Sequence, residues 1–308
     1  MVVTRSQFLA LLEPTLRDIS GDADYPRREV LFARFYTMAS SGKATETDFQ
    51  YAGLGNFQVK SEGGPVSYDD PVAGTTKAYT HVVRGLGYKI TDEMLRHDQY
   101  ARIRTLEREL QLAGEDDLEI QGHLLLNNGF GTTSAGGFSA TGFDGLALFS
   151  TAHTRLDGGA NQANRPSTDA NLDWTSLANG RTQFQVWRDN RGRPIIVRPT
   201  LLIVHPNDDL TAKELLRSVG KPGTPNNEIN ALREDGLDVV VSPYITDTNS
   251  WYLKGDNIAK TAKWYWDIQP RTSMMEDFDT EVIKRKRTQG FSNGHSDWVG
   301  FYGTSGTT

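Results

Sequence analysis

The sequence contains no cysteine. That excludes a disulfide framework, a thiolate metal site and a cysteine nucleophile, and leaves the redox compartment unmarked. Long apolar runs are missing too. Met1–Pro14 lacks the continuous apolar stretch of a secretion signal, and nothing approaches the ~20 residues that cross a bilayer, so a soluble cytoplasmic chain is the default expectation. Nor is there a surplus of base: 33 Lys and Arg stand against 39 Asp and Glu, a net charge of −6. A surface that wraps nucleic acid needs clustered cations on a basic face, and this balance argues against one.

What is present is enough apolar material to fold. The 308 residues are 37% hydrophobic and include thirteen Phe, eleven Tyr and six Trp, which supports a globular core and argues against disorder. No internal repeat and no low-complexity linker divides the chain.

Local patterns set an order of elements. Phe8, Leu11, Leu12 and Leu16 share one face of a short helix over 4–19, bent at Pro14. Val30–Tyr36 then leads into the polar segment Ala39–Thr47, and together these read as an N-terminal arm. From Phe49 to Ile90 the chain alternates or is β-branched, with strands expected at Phe57–Lys60 and Thr76–Val83 and with Gly63-Gly64 and Asp69-Asp70-Pro71 as turns. This is a long hairpin with little core of its own, so a partner chain is the natural cover for its apolar side chains.

The strongest helical signal runs from Thr91 to Asn127, roughly 50 Å at 1.5 Å per residue. Thr91 suits the N-cap, Asp92 and Glu93 the first turn, Ile103, Leu106 and Leu110 form an apolar stripe, Asp98 and Arg102 pair, and Asn127-Asn128-Gly129 stops it. Gly114 beside Glu115-Asp116-Asp117 marks a place for a kink or split. Residues 129–172 read as a long loop with a short strand at Leu146–Phe149, followed by a helix over Leu172–Trp187 with Leu177, Phe184 and Trp187 inward. The rest alternates: strand Pro199–His205, helix Leu210–Arg217, strands Leu237–Ser242, Ser250–Lys254, Lys263–Asp267 and Asp279–Lys284, then the aromatic tail Trp298–Tyr302.

The candidate chemistry is thin. Ser150, His153 and Asp157 fall within eight residues, but a triad is defined by geometry, and Ser150 lacks the Gly-x-Ser-x-Gly elbow. Loop-pinning hydrogen bonds are the competing role. The histidines at 81, 97, 123, 153, 205 and 295 contain no His-x-x-x-His pair, and Glu115, Asp116, Asp117 and Glu119 lack the calcium-loop spacing, so a solvated helix face is expected there. Gly129-Phe130-Gly131, Gly136-Gly137 and Gly85-Leu86-Gly87 complete neither a phosphate loop nor a dinucleotide fingerprint. No catalytic, cofactor-binding or metal residue and no cofactor is expected. The basic run Lys284-Arg285-Lys286-Arg287 reads as a solvated strand or interface, whose reversal to glutamates would disturb assembly or stability without altering DNA affinity.

The order of elements, with Gly85-Leu-Gly-Tyr-Lys-Ile-Thr-Asp-Glu93, Asp144-Gly-Leu-Ala-Leu-Phe-Ser-Thr-Ala-His153, Pro199–Val204, Val241–Leu253 and Asp297–Gly303, resembles the major capsid proteins of tailed bacteriophages. More narrowly, it resembles the Mu-type major head subunits. The resemblance spans about residues 30–303 and implies an α+β, Hong Kong 97-type capsid fold. It divides the chain into an N-terminal arm (1–48), an extended β-hairpin loop (49–90), a peripheral domain with a spine helix (91–174), an axial domain (175–260) and return strands with the C-terminus (261–308). It also implies a virion protein assembled in the host cytoplasm as homo-pentamers and homo-hexamers. Scaffolding, portal and decoration proteins are its implied partners, and packaged double-stranded DNA is touched only weakly. Some relatives cross-link a lysine to an asparagine; Lys60 and Lys77 lie in or beside the hairpin, but no asparagine or carboxylate partner is identifiable, so no cross-link is expected. The alternatives are another ring-forming phage component, of tail or connector, and a serine hydrolase using Ser150, His153 and Asp157.

Overall fold

The computed structural model describes residues 29–91, 93–94, 100–223, 228–256, 261–277, 279 and 282–307. The expected 4–19 helix and the Asp98–Arg102 pair lie outside them. In chain order the elements are a 3-10 turn (Phe32–Arg34), β1 (Thr37–Ser40), β2 (Thr45–Ala52), β3 (Val72–Thr80), β4 (Val82–Ile90) and α1 (Tyr100–Asn127). Then come β5 (Phe138–Ser139), α2 (Trp174–Val186), β6 (Pro199–Val204), α3 (Asp209–Arg217), β7 (Asp238–Val241) and β8 (Trp251–Gly255), and finally β9 (Ala262–Glu276), β10 (Ile283–His295) and β11 (Phe301–Thr304).

These strands make three sheets. The largest runs β1-β9-β10-β4, with β5 added to the far end of β10. A second runs β11-β8-β6-β7, and β2 and β3 form a two-stranded ribbon alone. β9 and β10 pair antiparallel from Glu276↔Ile283 to Ala262↔His295, with a bulge near Gly290. Pro270 falls at that irregularity, beyond the Lys263–Trp266 stretch that β1 covers, so its missing N–H breaks no ladder bond on that side. Both strands run well past the expected Lys263–Asp267 and Asp279–Lys284, because paired neighbours supply the stabilisation that a polar composition withholds.

Trp264 on β9 organises the core beneath this sheet. It stacks on Phe291 at 4.4 Å between ring centres and meets Phe32 at 4.7 Å and Tyr36 at 5.5 Å. The segment 31–36 thereby packs between the sheet and α1, where Gly122 permits close approach: a Cβ there would lie 2.2 Å from Phe32 Cβ. α1 passes unbroken through Gly114, so the helix is not split in two there. The helix instead uses that glycine for contact, since a Cβ at 114 would lie 2.4 Å from Arg287 Nε.

Other local readings are also revised. Phe57–Lys60 is not a strand; it lies in the irregular segment 53–71, where no partner strand is available. The first strand of the hairpin begins at Thr45, inside the stretch read as polar arm. The run Thr76–Val83 is split at His81, where the chain leaves the ribbon for the main sheet. Leu146–Phe149 makes one bridge, Thr141 with Ala147, and the short strand is Phe138–Ser139. α2 matches its pattern: Asp173 caps it by accepting from Ser176 N–H, and Leu177, Phe184 and Trp187 are buried.

Candidate functional site

The Ser150–Asp157 stretch is built as a pinned loop. His153 Nδ1 donates to Asp144 Oδ2 at 2.6 Å, its Nε2 lies 3.1 Å from Asn164 Oδ1, and the ring stacks on Trp298 at 4.7 Å. Asn164 Nδ2 donates to the carbonyls of Leu148 and Phe301, fixing the amide, and Oδ1 also accepts from Ser150 N–H at 2.9 Å. Ser150 Oγ accepts from Ala152 N–H at 3.2 Å and has no hydrogen bond to His153. Asp157 binds Arg155 twice, at 2.8 and 2.6 Å, and that pairing holds its carboxyl below the usual range. Burial disfavours the Asp144 carboxylate, but His153 and the Leu146 N–H outweigh it and keep its pKa low. His153's acid partner is thus Asp144, and Ser150 and Asp157 face other groups. A nucleophile, base and orienting acid are not brought together.

A second constellation joins α1 to β10. Glu107, Gln111, Gly114 and Asp117 recur on one helix face and meet the alternate residues Arg285, Arg287 and Gln289 of the strand. Two residues of strand rise about 6.7 Å, and three to four residues of helix about 5–6 Å, so the two rows mesh in register. Arg285 binds Glu107 through Nε at 2.8 Å and Nη2 at 3.1 Å, with both side chains buried. Tyr88 Oη and Gln111 Nε2 also donate to Glu107, at 2.8 and 3.0 Å. Burial works against this carboxylate, yet its hydrogen bonds from Arg285, Tyr88 and Gln111 outweigh burial and hold its pKa low. Arg287 Nη1 donates to the Gln111 carbonyl and Oε1, and Gln289 Nε2 to Asp117 at 2.9 Å.

The expected solvated strand at Lys284–Arg287 is therefore corrected: Arg285 and Arg287 are 3% and 8% exposed, and only the alternate lysines reach outward. The expected solvated face over Glu115–Glu119 is corrected as well. Asp116 accepts from Tyr244 Oη at 2.7 Å and Asp117 from Arg84 at 3.0 Å. Glu119 is buried and accepts the Leu31 and Phe32 N–H groups at 2.8 and 3.1 Å, anchoring the N-terminal segment. Glu115 alone of the four is exposed. Period-two arginines beside Ile283 and the helical spacing of Glu107, Gln111 and Gly114 were the available signals.

The root of the β2–β3 hairpin is clamped while its far end is bare. Asp48 pairs with Lys263 at 2.5 Å and accepts from Ser296, which contacts Tyr79 Oη at 2.6 Å. Lys77 is buried, donates to the Thr141 carbonyl, and has its pKa pushed down to about 8 by burial. Thr75 Oγ1 donates to the Phe143 carbonyl at 2.6 Å. Arg191 holds the base of the irregular segment through the Gly53 and Asp70 carbonyls at 2.8 and 2.6 Å. Beyond these anchors Phe57, Val59 and Tyr68 are more than nine-tenths exposed, and Lys60 is exposed among them.

A long helix laid on an extended sheet, a second small sheet, and a clamped ribbon carrying uncovered apolar residues define a structural subunit of an assembly. Solved structures agree on the fold. The capsid of the Myoviridae phage XM1 is 10% identical with a TM-score of 0.57, covering 93% of this chain and 96% of that one. Microbacterium phage Oxtober96 is 10% identical with a TM-score of 0.55 over the whole of both chains. The procapsid of bacteriophage JBD30 is 13% identical with a TM-score of 0.54, covering 99% of this chain and 77% of that one. No curated protein matches the sequence. The phage capsid protein family model matches residues 74–303. The chain belongs to that family, has the Hong Kong 97-type α+β capsid fold, and is a shell-forming capsid protein of the virion.

Proposed function

We propose that the chain assembles as pentamers and hexamers into a closed icosahedral shell around phage double-stranded DNA, as a head subunit of the Mu type, with no catalytic task. Within each subunit the β2–β3 ribbon and the segment 53–71 between its strands, the part of the expected 49–90 loop that lies outside the main sheet, act as the extended loop that overlaps a neighbour. Residues 91–174 and 261–308 form the peripheral domain around the spine helix, 175–260 the axial domain at capsomer centres, and 1–48 the N-terminal arm. One observation carries this reading. Phe49, Tyr51, Leu54, Phe57, Val59, Val66 and Tyr68 are all more than half exposed on a two-stranded ribbon and its loop, and water is a poor solvent for that many adjacent apolar side chains. A neighbouring subunit is the cover that a closed shell supplies.

Scaffolding, portal and decoration proteins complete the assembly. Support for the last comes from the capsid of bacteriophage JBD30, described as decorated with minor capsid protein trimers. The net charge of −6 supports weak, non-specific contact with the DNA. The test is negative-stain electron microscopy of the purified, sedimented protein, alone and co-expressed with its scaffold. Closed shells or five- and six-fold rings are expected; a uniform monomer under both conditions overturns the reading. Ser150→Ala assembles like wild type, and labelling of Ser150 by a serine-reactive probe would refute the structural role assigned to that loop.

A further inference from the structure

We propose, resting on the shell reading above, that a pocket between α1 and strands β4 and β10 receives the carboxylate of an acidic side chain from a second copy of this chain. The pocket has a volume of about 380 Å³ and is walled by Arg84, Leu86, Leu110, Ala113, Arg287 and Gln289, with Asp117, already bonded to Arg84 and Gln289, also in its lining. Arg287 is its floor. This side chain is 8% exposed, yet no carboxylate pairs with it among the described residues: Nη1 is held by Gln111, Nε has no hydrogen bond, and Nη2 makes none. Arg84 also leaves Nε unpartnered, with its other nitrogens on Asp117 and the Gly136 carbonyl.

Among the described residues Arg287 is left without a carboxylate hydrogen-bonded to it. Arg84, Arg285 and Arg287 gather here against the carboxylates of Glu107, Glu115 and Asp117. Glu107 already accepts two bonds from Arg285 and one each from Tyr88 and Gln111, and Asp117 is taken by Arg84 and Gln289. Glu115, exposed on the helix, and Asp117 and Glu107 act on Arg287 only through space. A buried guanidinium whose nearest carboxylates reach it only through space is costly, and an arriving carboxylate that bonds it directly removes part of that cost.

The shape selects a side chain over a bare ion. The volume equals roughly a dozen water molecules at ~30 Å³ each, more than a single small anion fills. Leu86, Leu110 and Ala113 give an apolar wall for a methylene stem, and the guanidinium receives the head. An acidic chain presents such heads in surplus, and in a shell every subunit meets identical neighbours.

The test compares wild type with Arg287→Gln, Leu86→Glu and Leu86→Gln. Assembly is read by sedimentation velocity and electron microscopy, and subunit folding by circular dichroism and thermal melting. Leu86 is exposed at the rim, so Leu86→Glu places the subunit's own carboxylate at the mouth without disturbing the buried network, which keeps the test valid if Arg287→Gln misfolds. The expectation is folded subunits throughout, at least a tenfold loss of assembled material for Leu86→Glu and for Arg287→Gln, and near-normal assembly for Leu86→Gln. Equal assembly by all four overturns the pocket and leaves the shell reading standing. A wild type that never assembles overturns both. If inorganic phosphate raises the melting temperature of wild type but not of Arg287→Gln while all variants assemble alike, the pocket holds a free oxyanion and the proposal is wrong.

Discussion

His123 makes subunit stability fall with acid, by an amount that its surroundings define. The ring is fully buried; Nδ1 donates to the Glu119 carbonyl at 2.7 Å and Nε2 accepts from Ser242 Oγ at 2.7 Å. The neutral tautomer satisfies both bonds, whereas a second proton would turn the acceptor into a donor facing a hydroxyl oxygen that already accepts from Tyr244 N–H. Burial, only partly opposed by the Glu119 hydrogen bond, pushes the pKa down to about 4 from the usual 6.5. Because the folded value is the lower one, the unfolded chain takes up the proton first. The stabilisation is whole above about pH 6.5 and is lost as pH falls towards 4. At pH 5 the gap of ~1.5 units corresponds to about 2 kcal/mol. Urea unfolding of the dissociated subunit at pH 7 and pH 5, followed by tryptophan fluorescence, measures this against His123→Gln. The variant is less stable at pH 7, yet its loss between the two pH values is about 2 kcal/mol smaller than that of wild type. His295, buried and pushed down to about 3, titrates in both proteins and drops out of the comparison. Equal pH dependence in the two proteins would refute the assignment of the buried neutral ring.

Two further perturbations probe the joints of the fold. Glu107→Gln strands the buried Arg285 charge and lowers stability by about 3–5 kcal/mol in denaturant titrations, while Glu107→Leu with Arg285→Met recovers most of that loss; a single-mutant loss below ~1 kcal/mol would show that the pair is dispensable. Gly122→Ala gains about 1 kcal/mol of helix propensity but forces a methyl against Phe32, for a net loss of about 1–2 kcal/mol. Gly42→Ala, with no atom within 4 Å of the added carbon, stays within about 0.5 kcal/mol of wild type, and equal effects at the two glycines would contradict the close-packing account.

Much of the second half of the chain was legible because its signals are local. Asp173 and the spacing of Leu177, Phe184 and Trp187 define α2 without help from distant residues, while β6 and β7 follow from β-branched runs of buried-strand length and β8 from the aromatic pair Trp251-Tyr252. The hairpin was legible as an uncovered object, though its strands lie at Thr45–Ala52 and Val72–Thr80 and the irregular part between them took in Phe57–Lys60. Pairing decides such cases, and a six-residue pattern carries no record of whether a partner strand is near. The candidate site was legible mainly in the negative. Ser150 without its flanking glycines argued against an elbow, but the actual partner of His153, Asp144, sits nine positions upstream and was passed over.

By itself, the sequence determined what depends on composition and short spacing. A cysteine-free, mildly acidic, aromatic-rich chain with one long helix, an uncovered ribbon and ordered motifs from about residue 30 to 303 is confined to few classes, and the capsid class is among them. Tertiary structure alone decided which charges are buried and who meets them. Lys284–Arg287 looks like a solvated run because hydropathy assigns each residue its own preference. In the fold, strand period and helix period bring Arg285 and Arg287 under α1, where Glu107 and Gln111 wait 178 and 176 residues away in the chain. Paired desolvation is a property of two positions at once, and no single stretch of sequence encodes it.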